Sequence, residues 1–179
     1  VLAALSTGAG PVFIISSVGG GMMNDVSKGV KLFLCAWISS LITAFLVSRV
    51  CTEGENAFSG GGKSADAPGA IREALLGVLT VAGYMTVFRV FAGGLPETVY
   101  AFFEISGGCA AAASKNDFVM ACAVTGFGGV CLIMQNYASL KETGVCFKEL
   151  FAAKAVTCAL CAALGCVVSD LPEMKIRFA

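Results

Sequence analysis

The stretch that decides the fold is GVKLFLCAWISSLITAFLVSR, residues 29–49. Between Leu32 and Ser48 no residue is charged, and Lys31 and Arg49 stand near the two ends. A helix needs about 20 predominantly apolar residues to cross the hydrocarbon core of a bilayer, and basic side chains near its ends reach back to the polar interface. The stretch therefore predicts a membrane-spanning helix.

Three further apolar segments are long enough to span a membrane: residues 71–91, residues 118–140 and residues from about 150 to 169. Only 13% of the chain is charged, against about 25% in soluble domains. A soluble all-α protein would show apolar stripes with a 3.6-residue period, whereas these segments are apolar on every face. We therefore predict an all-α, polytopic integral membrane protein, with the lipid bilayer as a partner.

The balance of charge excludes nucleic acid as a partner. The chain has 12 Lys and Arg, 12 Asp and Glu and no His, so it offers no basic groove. The basic residues near the helix ends are shared about equally between the two sides. Membrane orientation therefore stays open. The oligomeric state is also left open by the sequence.

The spans divide the chain into four parts. Residues 1–48 form a first unit, residues 49–70 an exposed Gly- and Ser-rich loop, residues 71–171 a second unit, and residues 172–179 a short polar tail. The chain begins at Val1, directly in an apolar segment. We expect it to be a fragment that lacks N-terminal helices.

Two short stretches of the chain echo each other. TGAGPVFII at residues 7–15 and TGFGGVCLI at residues 125–133 share the pattern TGxGxVxxI. After each come an apolar helix, a polar connector and a spanning segment. We interpret this as an internal repeat whose unit is an interrupted helix, a polar hinge and a span. Chance similarity between Gly-rich apolar stretches is the alternative.

The glycines in both stretches predict broken, or discontinuous, helices. An interruption exposes backbone N–H and C=O groups, which persist in a bilayer only where protein packs on them or a polar cavity lies beside them. Paired interruptions in two halves of a chain indicate a transporter's substrate site, and the N–H groups at a helix start favour an anion. We expect helix starts at Pro11 and at Gly129 or Val130. The alternative is close helix packing through small residues.

Glu104 is the single residue that stands out most. It lies in AFFEISGG, residues 101–108, where a helix is expected to stop at residues 106–108. An acidic residue at the centre of a membrane helix costs about 2.5–3.5 kcal/mol and usually faces a cavity or a partner. Glu104 is therefore a candidate for substrate binding or proton coupling. The alternative is a structural ion pair with Arg89 or a position near the membrane interface.

The candidate substrate-binding residues come from the two TGxGxVxxI stretches, from the residues that directly follow the second, and from the segment around Glu104. Gln135 and Asn136 are included as the only amides in the uncharged segment 118–140, although they serve equally well to hold helices together. The full set is Thr7, Gly8, Gly10, Pro11, Glu104, Ser106, Gly107, Gly108, Thr125, Gly126, Gly128, Gln135 and Asn136.

No group of side chains in the sequence predicts catalysis. The chain has no His, so ordinary hydrolase triads are not expected. The nine cysteines lie mainly in apolar segments, where thiols act as small packing residues. Cys158 and Cys161 form a C-x-x-C without a second pair of ligands. We expect no enzyme activity, no metal and no cofactor.

Three motifs, in this order and with spans between them, resemble the YlbJ-like family of sporulation integral membrane proteins: TGAGPVFIISSVGGGMM, FFEISGG and TGFGGVCLIMQ. That family is related to the nucleoside-recognition or "Gate" domains of nucleoside transporters. The resemblance covers residues 5–170 and assigns its motif positions to residues 7–11, 104–108 and 125–135. It implies a transporter-like protein of a bacterial cell membrane, namely one of the membranes that surround the developing spore. It also implies dipicolinic acid, an aromatic dicarboxylate, as the substrate.

Taken together, the motifs and the resemblance predict a membrane transporter of a small organic anion that works by alternating access around paired broken helices. A proton or cation would couple to transport through Glu104. A nucleoside-type transporter and a non-transporting membrane scaffold of the developing spore are the alternatives. In a transporter the two helix interruptions and Glu104 must converge at mid-membrane, whereas close helix packing alone does not require this convergence.

Overall fold

The chain is all-helical in the computed structural model, which describes residues 8–50, 67–140 and 145–169. No strand occurs within these ranges, which confirms the predicted fold class at this level. The helices are α1 (Phe13–Met22), α2 (Val26–Val50), α3 (Ala67–Ala92), α4 (Glu97–Phe103), α5 (Ile105–Ser114), α6 (Phe118–Phe127), α7 (Gly129–Leu140) and α8 (Phe147–Ser169).

Four segments in the described part of the chain have the length and composition needed to cross a membrane. They are Val26–Arg49, Ala67–Ala92, Phe118–Leu140, which contains α6 and α7, and Phe147–Ser169. These correspond to the four predicted segments and are compatible with an integral membrane protein. α2 begins before the predicted start because Asp25 accepts hydrogen bonds from the backbone N–H groups of Ser27 (2.8 Å) and Lys28 (3.3 Å).

The centre of the bundle is the packing of α6 on α8, with α2 against both. Small residues allow the close approach: a Cβ on Gly126 would lie 2.7 Å from Cys161 Cβ, and one on Gly165 would lie 2.8 Å from Cys122 Sγ. The Thr157 hydroxyl donates to the Thr43 hydroxyl at 3.0 Å and so joins α8 to α2. Small residues and interhelical hydrogen bonds are the usual means of helix association in membranes.

The first helix is wide and packs closely on α2. α1 is a π-helix, and after it the N–H of Met23 donates to the carbonyl of Val18, five residues back, at 2.8 Å. A Cβ on Gly19 would lie only 2.5 Å from Gly29 Cα, so the two backbones touch where α1 crosses α2. π-helical turns occur frequently at functional sites.

Gly128 separates α6 from α7. It has φ +81° and Gly129 has φ +78°, which is a left-handed conformation that glycine adopts without the steric penalty of a Cβ. The N–H of Gly128 donates to the carbonyl of Val124 at 2.8 Å and closes α6. α7 begins at Gly129, one of the two predicted starts, and the turn that leads into α1 begins at Pro11.

The predicted helix end at residues 106–108 is wrong. α4 ends at Phe103, Glu104 is extended with φ −137°, and α5 runs from Ile105 through all three residues to Ser114. The physical reason is that the Glu104 side chain caps α5, so the chain restarts as a helix before the glycines are reached.

The predicted loop and tail fall largely outside the described residues. Residues 49–50 belong to α2 and residues 67–70 belong to α3. The predicted loop 49–70 therefore overlaps the ends of both helices. Residues 51–66, the connector 141–144 and the tail 172–179 lie outside the described part.

Candidate functional site

Two cavities flank the segment that leads into α1. The larger, of about 270 Å³, lies between this segment, α2, α6 and α8. Five predicted site residues line it: Gly8, Gly10, Pro11, Thr125 and Gly126. The two stretches that share the TGxGxVxxI pattern therefore meet at one cavity, although they lie far apart in the sequence. The rest of its wall consists of Ala9, Ile14, Phe33, Ala36, Trp37, Ser40 and Lys154.

Lys154 is a residue of this cavity that the sequence analysis missed. Its side chain is buried, with 4% of its surface exposed, on the wall of the larger cavity. The signal was present in the sequence, because Lys154 is the only charged residue from Leu150 to Ser169. An ionisable residue within a spanning segment is a functional candidate by default.

The smaller cavity, of about 180 Å³, lies on the other side of Gly10 and contains Glu104 and Gln135. Gly10 therefore lines both cavities and stands at their boundary. The remaining residues of this wall are Ala9, Phe13, Val81, Met85, Ile105, Cys131 and Leu132. Three predicted site residues, from three segments of the chain, thus meet at this second cavity.

The Glu104 carboxylate is held by the start of α5. It accepts hydrogen bonds from the backbone N–H of Ser106 at 3.0 Å, from the N–H of Gly107 at 2.8 Å and from the Ser106 hydroxyl. The Tyr100 hydroxyl donates to it at 3.4 Å, and the side chain of Arg89 in turn interacts with that hydroxyl. Glu104 is only 2% exposed, so these donors supply the solvation that water would otherwise give.

The chain between α4 and α5 touches the chain between α6 and α7. A Cβ on Gly129 would lie 3.0 Å from the carbonyl oxygen of Phe103 and 3.3 Å from the backbone nitrogen of Glu104. At both places the backbone leaves helical geometry: Glu104 is extended and Gly129 is left-handed. A side chain at Gly129 would crowd this contact, and its φ of +78° is a conformation that favours glycine.

The polar side chains of Thr125 and Gln135 already have hydrogen-bond partners within the protein. The Thr125 hydroxyl donates to the carbonyl of Ala121 at 2.7 Å, within its own helix. The Gln135 Nε2 lies 3.3 Å from Cys131 Sγ and 3.4 Å from the carbonyl of Val81, so it also joins α7 to α3.

Other predicted site residues are not among those that line the two cavities. Gly107 leaves room for the Tyr100 ring, Gly108 packs against Val124 and Ala101, and Gly128 closes α6. Ser106 binds Glu104, and Asn136 is half-buried on α7. Thr7 lies outside the described residues.

The thiols of the described residues are free. Eight cysteines fall in these ranges, and none of them forms a disulfide. Over the same ranges no cluster of His, Cys, Asp and Glu side chains has the arrangement needed to hold a metal ion. Cys161, on α8, is buried against Gly126 of α6, where it contributes to packing.

Comparison of the chain with protein-family models, with curated proteins and with solved structures finds no match. The resemblance to the YlbJ-like family therefore stays a prediction from the motifs.

Proposed function

We propose that the protein is a membrane transporter of a small organic anion, working by alternating access around the two cavities. The observation that carries the proposal is convergence. Two adjacent cavities share Gly10. The segment 8–11, Thr125 and Gly126 line the larger cavity, and Glu104 lines the smaller one. The backbone at Glu104 in turn contacts Gly129. Substrate sites of secondary transporters occur where discontinuous helices meet.

The glycines of the 8–11 segment support a site rather than packing at this point. A Cβ on Gly8 or Gly10 would meet no heavy atom within 4 Å, so these glycines border open space. The larger cavity, at about 270 Å³, falls just below the roughly 300–1,000 Å³ of pockets for drug-sized ligands. A molecule with a single ring fits this size better than a larger solute.

Finer features of the fold belong to the same proposal. α6 with α7, and the region that leads into α1, would be discontinuous membrane helices. Each of these regions, with the polar connector and the spanning helix that follow it, would be one unit of an internal repeat. The motif resemblance adds dipicolinate as the anion, a membrane around the developing spore as the location, and a proton or cation as the coupling ion. A nucleoside is the alternative substrate.

A non-transporting membrane scaffold is the competing function, and one observation favours it. Gly126 and Gly108 are tightly packed: a Cβ on Gly126 would lie 3.0 Å from the carbonyl oxygen of Thr157, and one on Gly108 would lie 3.1 Å from that of Ala101. These two glycines serve helix association whether or not a substrate passes.

Uptake by proteoliposomes that contain the full-length protein tests the proposal. We expect saturable uptake of labelled dipicolinate, with labelled nucleosides tested in parallel. Gly10→Leu should reduce uptake to background because Gly10 borders both cavities and has open space for a side chain. Gly83→Leu is the matched control, since Gly83 is an exposed glycine of α3 with nothing within 4 Å. Folded wild-type protein that takes up neither class of compound would favour the scaffold.

A further inference from the structure

A separate cavity, of about 240 Å³, lies at one end of the helix bundle. Its wall comes from the start of α2, the turn between α5 and α6, the start of α6 and the end of α8. Three candidate spans therefore have an end at this cavity: Val26–Arg49 and Phe118–Leu140 begin there, and Phe147–Ser169 ends there. When these helices cross a bilayer, the cavity lies where the hydrocarbon core meets the polar interface.

The wall of this end cavity combines positive charge with apolar surface. Among the described residues that line it, Lys28 and Lys31 are basic and Asp25 is acidic, so the net charge of the wall is positive. The two lysines lie one turn apart on α2 and therefore on the same side of that helix. Phe118 and Val168 are the apolar members of the wall. A ligand that fills this cavity has to match both a positive and an apolar surface.

Lys28 is held at this cavity by a neutral partner. Its Nζ donates to Oδ1 of Asn116 at 2.9 Å, which joins α2 to the turn between α5 and α6. An amide carries no charge, so this hydrogen bond positions the ammonium without compensating its charge. Asp25 uses Oδ1 to accept from the backbone N–H of Lys28 at 3.3 Å and so caps α2. An ammonium has three N–H donors, and an anionic oxygen can therefore bind Lys28 beside Asn116.

We infer that the end cavity binds the phosphate headgroup of an anionic phospholipid and that Lys28 contacts the phosphate. Basic pockets between membrane-spanning helices are typical sites for lipid headgroups. The phosphate accepts from Lys28 Nζ, while Phe118 and Val168 border the first methylene groups of the acyl chains. This cavity shares no described lining residue with the two cavities of the proposed transporter, so the inference does not depend on transport.

Thermal melts of the purified full chain in a neutral detergent test this inference. The probes are short-chain phosphatidylglycerol, phosphatidylcholine with the same acyl chains, and glycerol 3-phosphate. We expect phosphatidylglycerol to raise the melting temperature in a saturable way, because a ligand of the folded protein stabilises it. Phosphatidylcholine has no net charge and glycerol 3-phosphate has no acyl chains, so both should bind much more weakly. Lys28→Gln should weaken phosphatidylglycerol binding by about 5-fold, the effect of one basic side chain at a membrane surface.

Two further variants make the result specific. Lys28→Arg keeps the charge and should retain most of the affinity, while Lys115→Gln removes an exposed charge next to Asn116 and should change nothing. Lys28→Gln keeps an N–H donor for Asn116, so the protein should stay folded, as its melt without added lipid will verify. Equal affinity for the two phospholipids, or unchanged phosphatidylglycerol affinity in Lys28→Gln, overturns the inference. Glycerol 3-phosphate that binds as tightly as phosphatidylglycerol would also overturn it, because the ligand would then be a soluble phosphate.

Discussion

Glu104→Ala is expected to lower the free energy of unfolding by about 2–6 kcal/mol, because the substitution leaves the half-buried N–H groups of Ser106 and Gly107 without their acceptor. Each unsatisfied buried donor costs about 1–3 kcal/mol, and a bilayer offers no water to replace the carboxylate. The start of α5 should therefore fray, and with it the contact between Glu104 and Gly129.

Unfolding of the protein in mixed micelles by increasing denaturing detergent measures this effect. Glu149→Ala is the control: Glu149 also accepts from a backbone N–H, that of Cys146 at 3.4 Å, but it is exposed at the start of α8. We expect a change there of at most about 1 kcal/mol. Equal, small effects at both positions would show that Glu104 does not hold α5.

Glu104→Gln separates the cap from the charge. The amide keeps one acceptor oxygen for the α5 N–H groups, so this variant should unfold at a denaturant concentration closer to wild type than Glu104→Ala does. Its uptake should lose the pH dependence of the wild type if Glu104 couples a proton to transport. An unchanged pH profile would assign Glu104 to the cap alone.

Gly126→Ala is expected to destabilise the protein by about 1–3 kcal/mol, the usual range for overpacking. A Cβ at this position would meet Cys161 Cβ at 2.7 Å, the Thr157 carbonyl oxygen at 3.0 Å and Cys158 Cα at 3.1 Å, and two of these three atoms belong to the backbone of α8. Rotating a side chain cannot relieve such contacts, so α6 and α8 must separate.

The matched control is Gly83→Ala, at an exposed glycine of α3 whose Cβ would meet nothing within 4 Å. We expect a change there within about 0.5 kcal/mol. The comparison uses the same unfolding assay, supplemented by gel filtration to detect loss of monodisperse protein. If Gly126→Ala is as stable as Gly83→Ala, the close approach of α6 and α8 is not required for the fold.

The four long apolar segments could be predicted from sequence because composition alone decides them. A run such as Val26–Arg49 is apolar on every face, so neither its partners nor its orientation needs to be known. The exact helix starts depended on local capping instead. Asp25 starts α2 and Glu104 starts α5, and in the second case the Gly107 and Gly108 that follow were mistaken for the interruption.

The arrangement of the two cavities could be predicted only in part because it depends on contacts between distant segments. The sequence marked Gly10, Thr125 and Glu104, but it could not show that Gly10 borders two cavities with Thr125 in one and Glu104 in the other. Lys154 was missed although it is the only charged residue from Leu150 to Ser169, because its place near a segment end is also that of an interfacial lysine. The internal repeat and the family resemblance stay predictions.

Two-sided accessibility of position 10 tests the central proposal most directly. Gly10→Cys is introduced into the full-length protein after the exposed Cys146 and Cys166, and also Cys51, are changed to Ser. A charged, membrane-impermeant thiol reagent is then applied to either side of reconstituted vesicles, with Gly83→Cys on α3 as the control. Alternating access predicts that position 10 is labelled from both sides, that dipicolinate protects it from both, and that position 83 is not labelled. Labelling of position 10 from one side only, unaffected by dipicolinate, would contradict the account.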